Sequence, residues 1–299
     1  MHAVLLVTIS ALIAQAQPRS VVEVPGGTYQ DKVIIAGAHG LTVRPRAGEH
    51  VTLEGSIEIR DSSSIEVRGI EVRAAPQNCV TSWGSTDVTI ADMNVHDCGR
   101  AGIWAGYERP GISRSIAIRN NTVTNCVLEN RERTAEHGWS QAIGVQYSDG
   151  VTISGNRVSK NYGEGINVCV TDHANVTGNQ LSDNYSFEIY LDNARWAVVD
   201  GNTTSTTSDR RFFRYGEPAS GIGAANEEYP FTTSLSHLTI TNNVVRGARD
   251  GFYYGDYGRG GGMHDAHITG NTFADCRRRP VYIEKAPHTG LVVQRNDAE

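Results

Sequence analysis

After its first 14 residues this 299-residue chain contains no long apolar run. Nothing there approaches the roughly 18 consecutive apolar residues of a membrane helix, which excludes a transmembrane span. An excess of positive charge is also missing. The 27 Lys and Arg are outnumbered by 33 Asp and Glu, for a formal charge of -6, so no basic stripe is available to neutralise phosphates. A nucleic-acid partner is thereby excluded, and a neutral or mildly charged extracellular partner fits better. Cysteines are few and odd in number, five in all, and Cys79, Cys169 and Cys276 show no metal-ligand spacing.

What is present begins with an apolar stretch from Ala3 to Ala14, too short to span a bilayer and followed by the small-x-small cleavage pattern Ala14-Gln15-Ala16. Residues 1–17 are therefore expected to be a secretory signal, with a mature protein that is secreted or periplasmic. Residues 18–299 exceed the usual domain size, but repeats that share one continuous core form one domain.

Those repeats are explicit. An apolar residue, two linkers and an Asn recur as Ile118 to Asn121, Ile153 to Asn156, Val176 to Asn179, Val199 to Asn202, Ile240 to Asn243, Ile268 to Asn271 and Val293 to Asn296. The register extends back to Met93 and Ile70, where an apolar residue takes the Asn place. Successive spacings from residue 70 are 23, 28, 35, 23, 23, 41, 28 and 25, one unit of 23 with insertions. Short β-branched runs punctuated by Gly and Asn at this period cannot bury a face alone and must stack as a solenoid. An Asn at one turn of every coil can bond its own turn backbone, tolerate left-handed dihedrals and bond the Asn of the next coil.

This pattern resembles the asparagine ladder of right-handed parallel β-helices, the pectate-lyase-like superfold, over residues 21 to 296. The fold expected from the resemblance is all-β, a single right-handed parallel β-helix of about nine coils. Cys98 and Cys126 follow the ladder position by the same five residues in consecutive coils, about 4.8 Å apart, within disulfide reach. A disulfide formed on export and a stack of two reduced thiols are both open.

In this superfold one strand of each coil floors a binding groove. Ile103, Ile143, Ile166, Ile189, Ile222, Phe252 and Val281 align as its inward residues, which sends Trp104, Gly144, Asn167, Tyr190, Gly223, Tyr253 and Tyr282 outward. The four aromatics in that row could bind the C-H face of a pyranose, or simply favour strands. Two residues on, the outward row contains Gln146, Cys169, Asp192 and Glu284, and Glu188 is expected to alternate outward with Tyr190 and Asp192. Asp192 and Glu227 should lie roughly 6 to 10 Å apart, a range that includes an inverting glycosidase pair and suits a calcium site; solvated or Arg-paired surface acids are the bland alternative. Glu164, between two glycines at the start of its strand, could cap that turn or point into the groove.

Insertions at residues 127–140, 203–220 and 228–235 should wall a cleft floored by Gln146, Asn167, Tyr190 and Asp192. Their charges include Arg131, Arg133, Glu136 and His137 in one loop, and Arg210, Arg211 and Arg214 in another. Mixed charge can merely solvate a loop. Elimination from a uronic-acid polymer, however, needs a cation for the substrate carboxylate, which Arg210, Arg211 or Arg214 could supply, and a base, which His137 or Lys160 could supply.

Proteins of this superfold are most often lyases, hydrolases and C5-epimerases of extracellular polysaccharides. The Asp-Asp pair, Gly-His-Gly and Arg-Ile-Lys triplets of polygalacturonases are absent, as is the Asp-Pro-His-Asp motif of mannuronan epimerases. Three readings follow: a lyase of an acidic polysaccharide, a glycoside hydrolase using the Asp192 and Glu227 carboxylates, and a monomeric carbohydrate-binding protein without chemistry.

Overall fold

The computed structural model describes residues 8–133, 138–258 and 261–298. Its strands wind as a right-handed parallel β-helix with three faces. One face is an eleven-stranded parallel sheet that begins at Val21–Val24 and ends at His288–Gln294. The other two are also parallel throughout and join where the long strands Gly27–Ala36 and Val51–Arg60 cross the shared edge. Eleven turns exceed the nine rungs read from the ladder because the first two coils place Pro25 and Arg46 in that register, neither of them Asn nor buried. At about 4.8 Å per coil the body is about 50 Å long.

Branched aliphatic side chains build the core. Ile103, Ile143, Ile166, Ile189, Ile222, Phe252 and Val281 pair register-for-register along the groove face, and the first six are completely buried. Each stacks on the equivalent residue one coil away, so a period of 23 residues becomes a column of apolar contacts.

At the adjoining corner runs the ladder. Oδ1 of each Asn accepts from both the backbone N and Nδ2 of the preceding rung, at 2.9 to 3.0 Å, at Asn156, Asn179, Asn202, Asn243, Asn271 and Asn296, while Asn121 Oδ1 accepts from the Met93 backbone N at 3.0 Å. Each Nδ2 from Asn121 to Asn296 also donates to a carbonyl of the preceding coil, such as Asn179 to Ile153 at 2.9 Å. The left-handed residue is the one before the rung, filled by Asn120, Gly155, Gly178, Gly201, Asn242, Gly270 and Arg295; all but Arg295 are residue types that reach that conformation at least cost.

A second, shorter ladder occupies the next corner. Asn161 Oδ1 accepts from Cys126 N at 2.9 Å, and its Nδ2 donates to Asn184 Oδ1 at 2.8 Å. Cys98 and Cys126 stack there with their sulfurs 3.1 Å apart. They are not bonded to each other. Cys98 is instead joined to Cys79, with Cα atoms 5.6 Å apart, and Cys126 is a buried free thiol. Cys98 faces both partners, and Cys79 reaches it across the corner from the preceding turn.

The apolar segment near the N-terminus folds as the short helix Ile9–Ala14, whose Ile9 is fully buried against the first strands. No helix among the described residues is long and apolar enough to cross a membrane.

Asn179→Ala tests the ladder. It strips two buried donors of Asn156 of their acceptor, each worth about 1 to 3 kcal/mol, so chemical denaturation should show a loss of about 3 kcal/mol or more. Asn296→Ala, at the partly solvated last rung, should cost clearly less. Equal losses at both positions would contradict the ladder's role.

Candidate active site

Parallel register brings three acids to one place. Asn167, Tyr190 and Gly223 are consecutive outward residues of adjacent coils, as are Cys169, Asp192 and Ala225. Gly223 is required here, since a Cβ would lie 2.5 Å from the ring of Phe187. With that space clear, Phe187 stacks on Tyr190 at 4.6 Å and 4°. Glu164 enters from the start of its strand and Glu227 from just past Ser220–Asn226. All of these except Cys169, Gly223 and Ala225, together with Trp139, Arg214 and Tyr229, line a cavity of about 850 Å³ whose floor is Asn167 and Tyr190.

Tyrosine hydroxyls hold the acids. Tyr190 Oη donates to Glu227 Oε1 at 2.5 Å, and Tyr229 Oη donates to Asp192 Oδ2 at 2.5 Å while lying 3.5 Å from Glu227 Oε2. One phenol thus bridges the two carboxyls, whose facing oxygens lie within about 6 Å of each other. Glu164 Oε2 accepts from Trp139 Nε1 at 2.7 Å, and the Arg214 guanidinium covers the Trp139 ring at 4.7 Å. Arg214 also donates to Ser186 at 2.9 Å.

Burial determines the charge state. Asp192 is 2% exposed; burial first, then the neighbouring Glu227 charge, pushes its pKa well above the usual carboxylate range. Glu164 is pushed up to about 8, again by burial, against the opposing bonds from its own backbone and Trp139 and the charge of Arg214. The same crowding raises Tyr190, Tyr229 and the Cys169 thiol. The cavity therefore presents carboxylic acids that retain protons near neutrality, a property of groups that donate protons to substrates.

The sequence matches the family described as the right-handed β-helix region over residues 55–226 and again over 113–277. The chain belongs to that family. Among solved right-handed β-helix structures it is similar to an alginate lyase from Paenibacillus sp. str. FPU-7, with 16% identity over 96% of this chain and 95% of that one and a TM-score of 0.69. It is also similar to the catalytic unit of a thermostable GH87 α-1,3-glucanase from Streptomyces thermodiastaticus strain HF3-3, at 16% identity, 97% and 61% coverage and a TM-score of 0.66. A mutant of the periplasmic alginate epimerase AlgG aligns at 12% identity, 98% and 83% coverage and 0.54. At such identities the likeness is one of fold. No curated protein matches the sequence.

Within this β-helix the residues singled out from sequence divide. Glu164, Asn167, Tyr190, Asp192, Arg214, Glu227, Tyr253 and Tyr282 share the cavity. Trp104 and Gln146 line a separate cavity toward the N-terminal end. Arg211 is exposed and held on Asp209 at 2.6 Å, and Arg210 is exposed beside it. Phe212 explains both: its buried ring anchors the insertion against Tyr162 at 5.2 Å, leaving the flanking arginines outside. Lys160 is an exposed left-handed turn residue near Asp209, away from the cavity. His137 and Glu136 lie outside the described residues.

Glu188 is not in the groove. The strand Phe187–Asp192 holds one register on either side of it, pairing Phe187 with Ser220 and Ile189 with Ile222, while Glu188 itself forms no pair. The break in alternation sends Phe187 outward, and Glu188 is 0% exposed. Its carboxyl accepts from Asn184 N at 3.2 Å and Nδ2 at 2.5 Å. It serves as the last rung of the second ladder. Nor is Tyr190 an open sugar platform, since its face lies under Phe187 and it is 5% exposed.

The calcium expected at Asp192 and Glu227 does not fit this donor set. A hard cation needs ionised oxygens free to coordinate, whereas burial favours the proton on Asp192 and both carboxyls are engaged by phenols. Among the described residues no group of three or more His, Cys, Asp or Glu side chains is placed to hold a metal.

Sequence reading missed Trp139, Phe187 and Tyr229. The first and last sit in insertions where no periodicity exists, and Phe187 depends on the break in alternation at Glu188.

Glu188 carries a testable consequence. Burial raises its pKa from 4.5 to about 8, so between those values the folded state binds more proton than the unfolded state and stability falls as pH rises. One such proton contributes a slope of about 1.4 kcal/mol per pH unit. Denaturation of Glu188→Gln between about pH 5 and pH 8 should show a shallower decline than wild type; an unchanged slope would contradict the assignment.

Proposed function

We propose that this protein is a carbohydrate-active enzyme that hydrolyses glycosidic bonds of a polysaccharide laid along the groove. The observation that carries the proposal is the convergence of Glu164, Asp192 and Glu227 in one cavity, with the first two held toward their protonated forms. Its structural neighbours include proteins named as an alginate lyase, a glucanase and an alginate epimerase, which supports a polysaccharide ligand.

In the proposed mechanism, Glu164 gives its proton to the glycosidic oxygen as the bond from that oxygen to the anomeric carbon breaks. Water attacks the anomeric carbon from the opposite side and passes its proton to Glu227. Asp192, bridged to Glu227 through Tyr229, orients that water; Glu227 then gives the proton to solvent and Glu164 takes one up, which restores both groups. Glu164 and Glu227 are two coils apart, about 10 Å of axial rise, the wider separation that leaves room for water in inverting enzymes. The Trp139 indole orients Glu164, and low dielectric around the cavity keeps the acid protonated until substrate arrives. Export completes the proposal: residues 1–17 are removed and the enzyme meets its polymer outside the cytoplasm.

Elimination from a uronate is the second reading, favoured by Arg214, the one arginine of its loop that lines the cavity and is suited to a substrate carboxylate.

A polysaccharide panel separates the readings. Hydrolysis predicts new reducing ends with inverted anomeric configuration and no ultraviolet-absorbing product; elimination predicts the unsaturated chromophore. Glu164→Gln and Asp192→Asn should each lower the hydrolysis rate by about 10²-fold or more. Because Glu164 acts when protonated, wild-type activity should fall as pH rises through about 8. An unsaturated product, or full activity in Glu164→Gln, would overturn the hydrolase.

A further inference from the structure

The groove does not end at the carboxylates. Trp139 and Gln141 also line a second cavity of about 850 Å³ that continues toward the N-terminal end. Its floor is built around Trp104, and the strands beneath are cut away for it. A Cβ on Gly106 would lie 2.9 Å from the Trp104 ring, and one on Gly144 would lie 3.3 Å from it. Glycine inside a strand costs packing and entropy, and it marks close approach to a backbone. Two of them let the indole lie against the sheet with its outer side toward the groove. Trp83, on the preceding coil, tilts against Trp104 at 5.5 Å and 31°, and Tyr107 braces Trp83 edge-on at 5.5 Å.

Around these rings the polar groups are mostly uncharged. Asn78, Thr81, Gln141 and Gln146 supply amides and a hydroxyl. The two cations of the lining are already paired, Lys32 with Glu58 at 3.6 Å and Arg100 with Glu129 at 3.2 Å. Glu54 is likewise paired, with Arg73 at 2.9 Å, and Asp31 adds negative charge. A polyuronate would be repelled here, whereas a neutral hexose offers C-H faces to the indoles and hydroxyls to the amides.

We propose that this half of the groove is a binding region for uncharged hexose units, with Trp83 and Trp104 as stacking platforms, so that the substrate of the enzyme is a neutral polysaccharide. The proposal rests on the reading of the groove as glycan-binding. Trp104 and Tyr190 are three coils apart, about 14 Å, so one chain would occupy both cavities with several units between its anchored end and the bond that is cut.

Binding tests this independently of catalysis. Glu164→Gln protein is titrated with a panel of neutral gluco-, manno-, xylo- and galacto-oligosaccharides and with oligouronates, followed by calorimetry and tryptophan fluorescence. At least one neutral series should bind, more tightly than any oligouronate. Adding Trp83→Ala or Trp104→Ala should raise its Kd about tenfold or more, and Trp104→Phe should recover part of the loss in protein that melts like its parent. Preference for oligouronates, no neutral ligand, or unchanged affinity in both alanine variants would overturn the proposal. If the wild type releases no reducing ends yet the tryptophan-dependent binding is observed, the binding region stands and the hydrolase falls.

Discussion

The coil-to-coil hydrogen bond of the ladder asparagines is the constraint on which everything else here depends. Each buried amide satisfies donors of one rung and a carbonyl of the preceding coil, so a slip of one residue in any coil would orphan several buried polar groups at once. Register is therefore not a preference of the sheet but a condition of burying the corner. With that corner fixed, the inward isoleucines must stack and the outward row must fall where it does.

A fixed register has an electrostatic price. In an ordinary domain Asp192, Glu227 and Glu164 would find solvent, but here successive coils bring outward side chains to within a few ångströms and the insertions roof them over. Asp192 and Glu164 respond by keeping protons, and all three carboxyls accept phenol or indole donors. Tyr190 and Tyr229 belong to this accommodation: their rings fill the wall while their hydroxyls hold the carboxyls that the stack has crowded together. The same physics at the neighbouring corner makes Glu188 a structural rung, with a raised pKa and no access to the groove. A perturbed carboxyl thus marks burial, and only its position on the outward row marks it as chemistry.

Periodicity made the solenoid readable from sequence. The seven asparagines and the column from Ile103 to Val281 are set by local repeats, and the structure pairs them as the spacing implies. Asp192, Glu227 and Asn167 could be placed by counting from that column. Where the count is interrupted, legibility ends. The break in alternation at Glu188 reverses two side chains with no sequence signal beyond its neighbours. In the insertion, Arg211 and Arg214 look equivalent until Phe212 is seen to bury itself, which leaves only Arg214 in the cavity. Gly106 and Gly144 are in strands and read as weaknesses there; only the close approach of the Gln146 carbonyl, the Gln141 amide and the Trp104 ring shows why they are glycine.

The central claim is that Glu164 and Asp192 of the groove remain protonated near neutral pH. Infrared difference spectra of the carboxylic acid band, collected while wild type, Glu164→Gln and Asp192→Asn are titrated, measure this directly. The account predicts a protonated carboxyl signal that persists above about pH 7 in wild type and is reduced in each variant. Complete ionisation of the wild-type carboxyls by about pH 6 would contradict it.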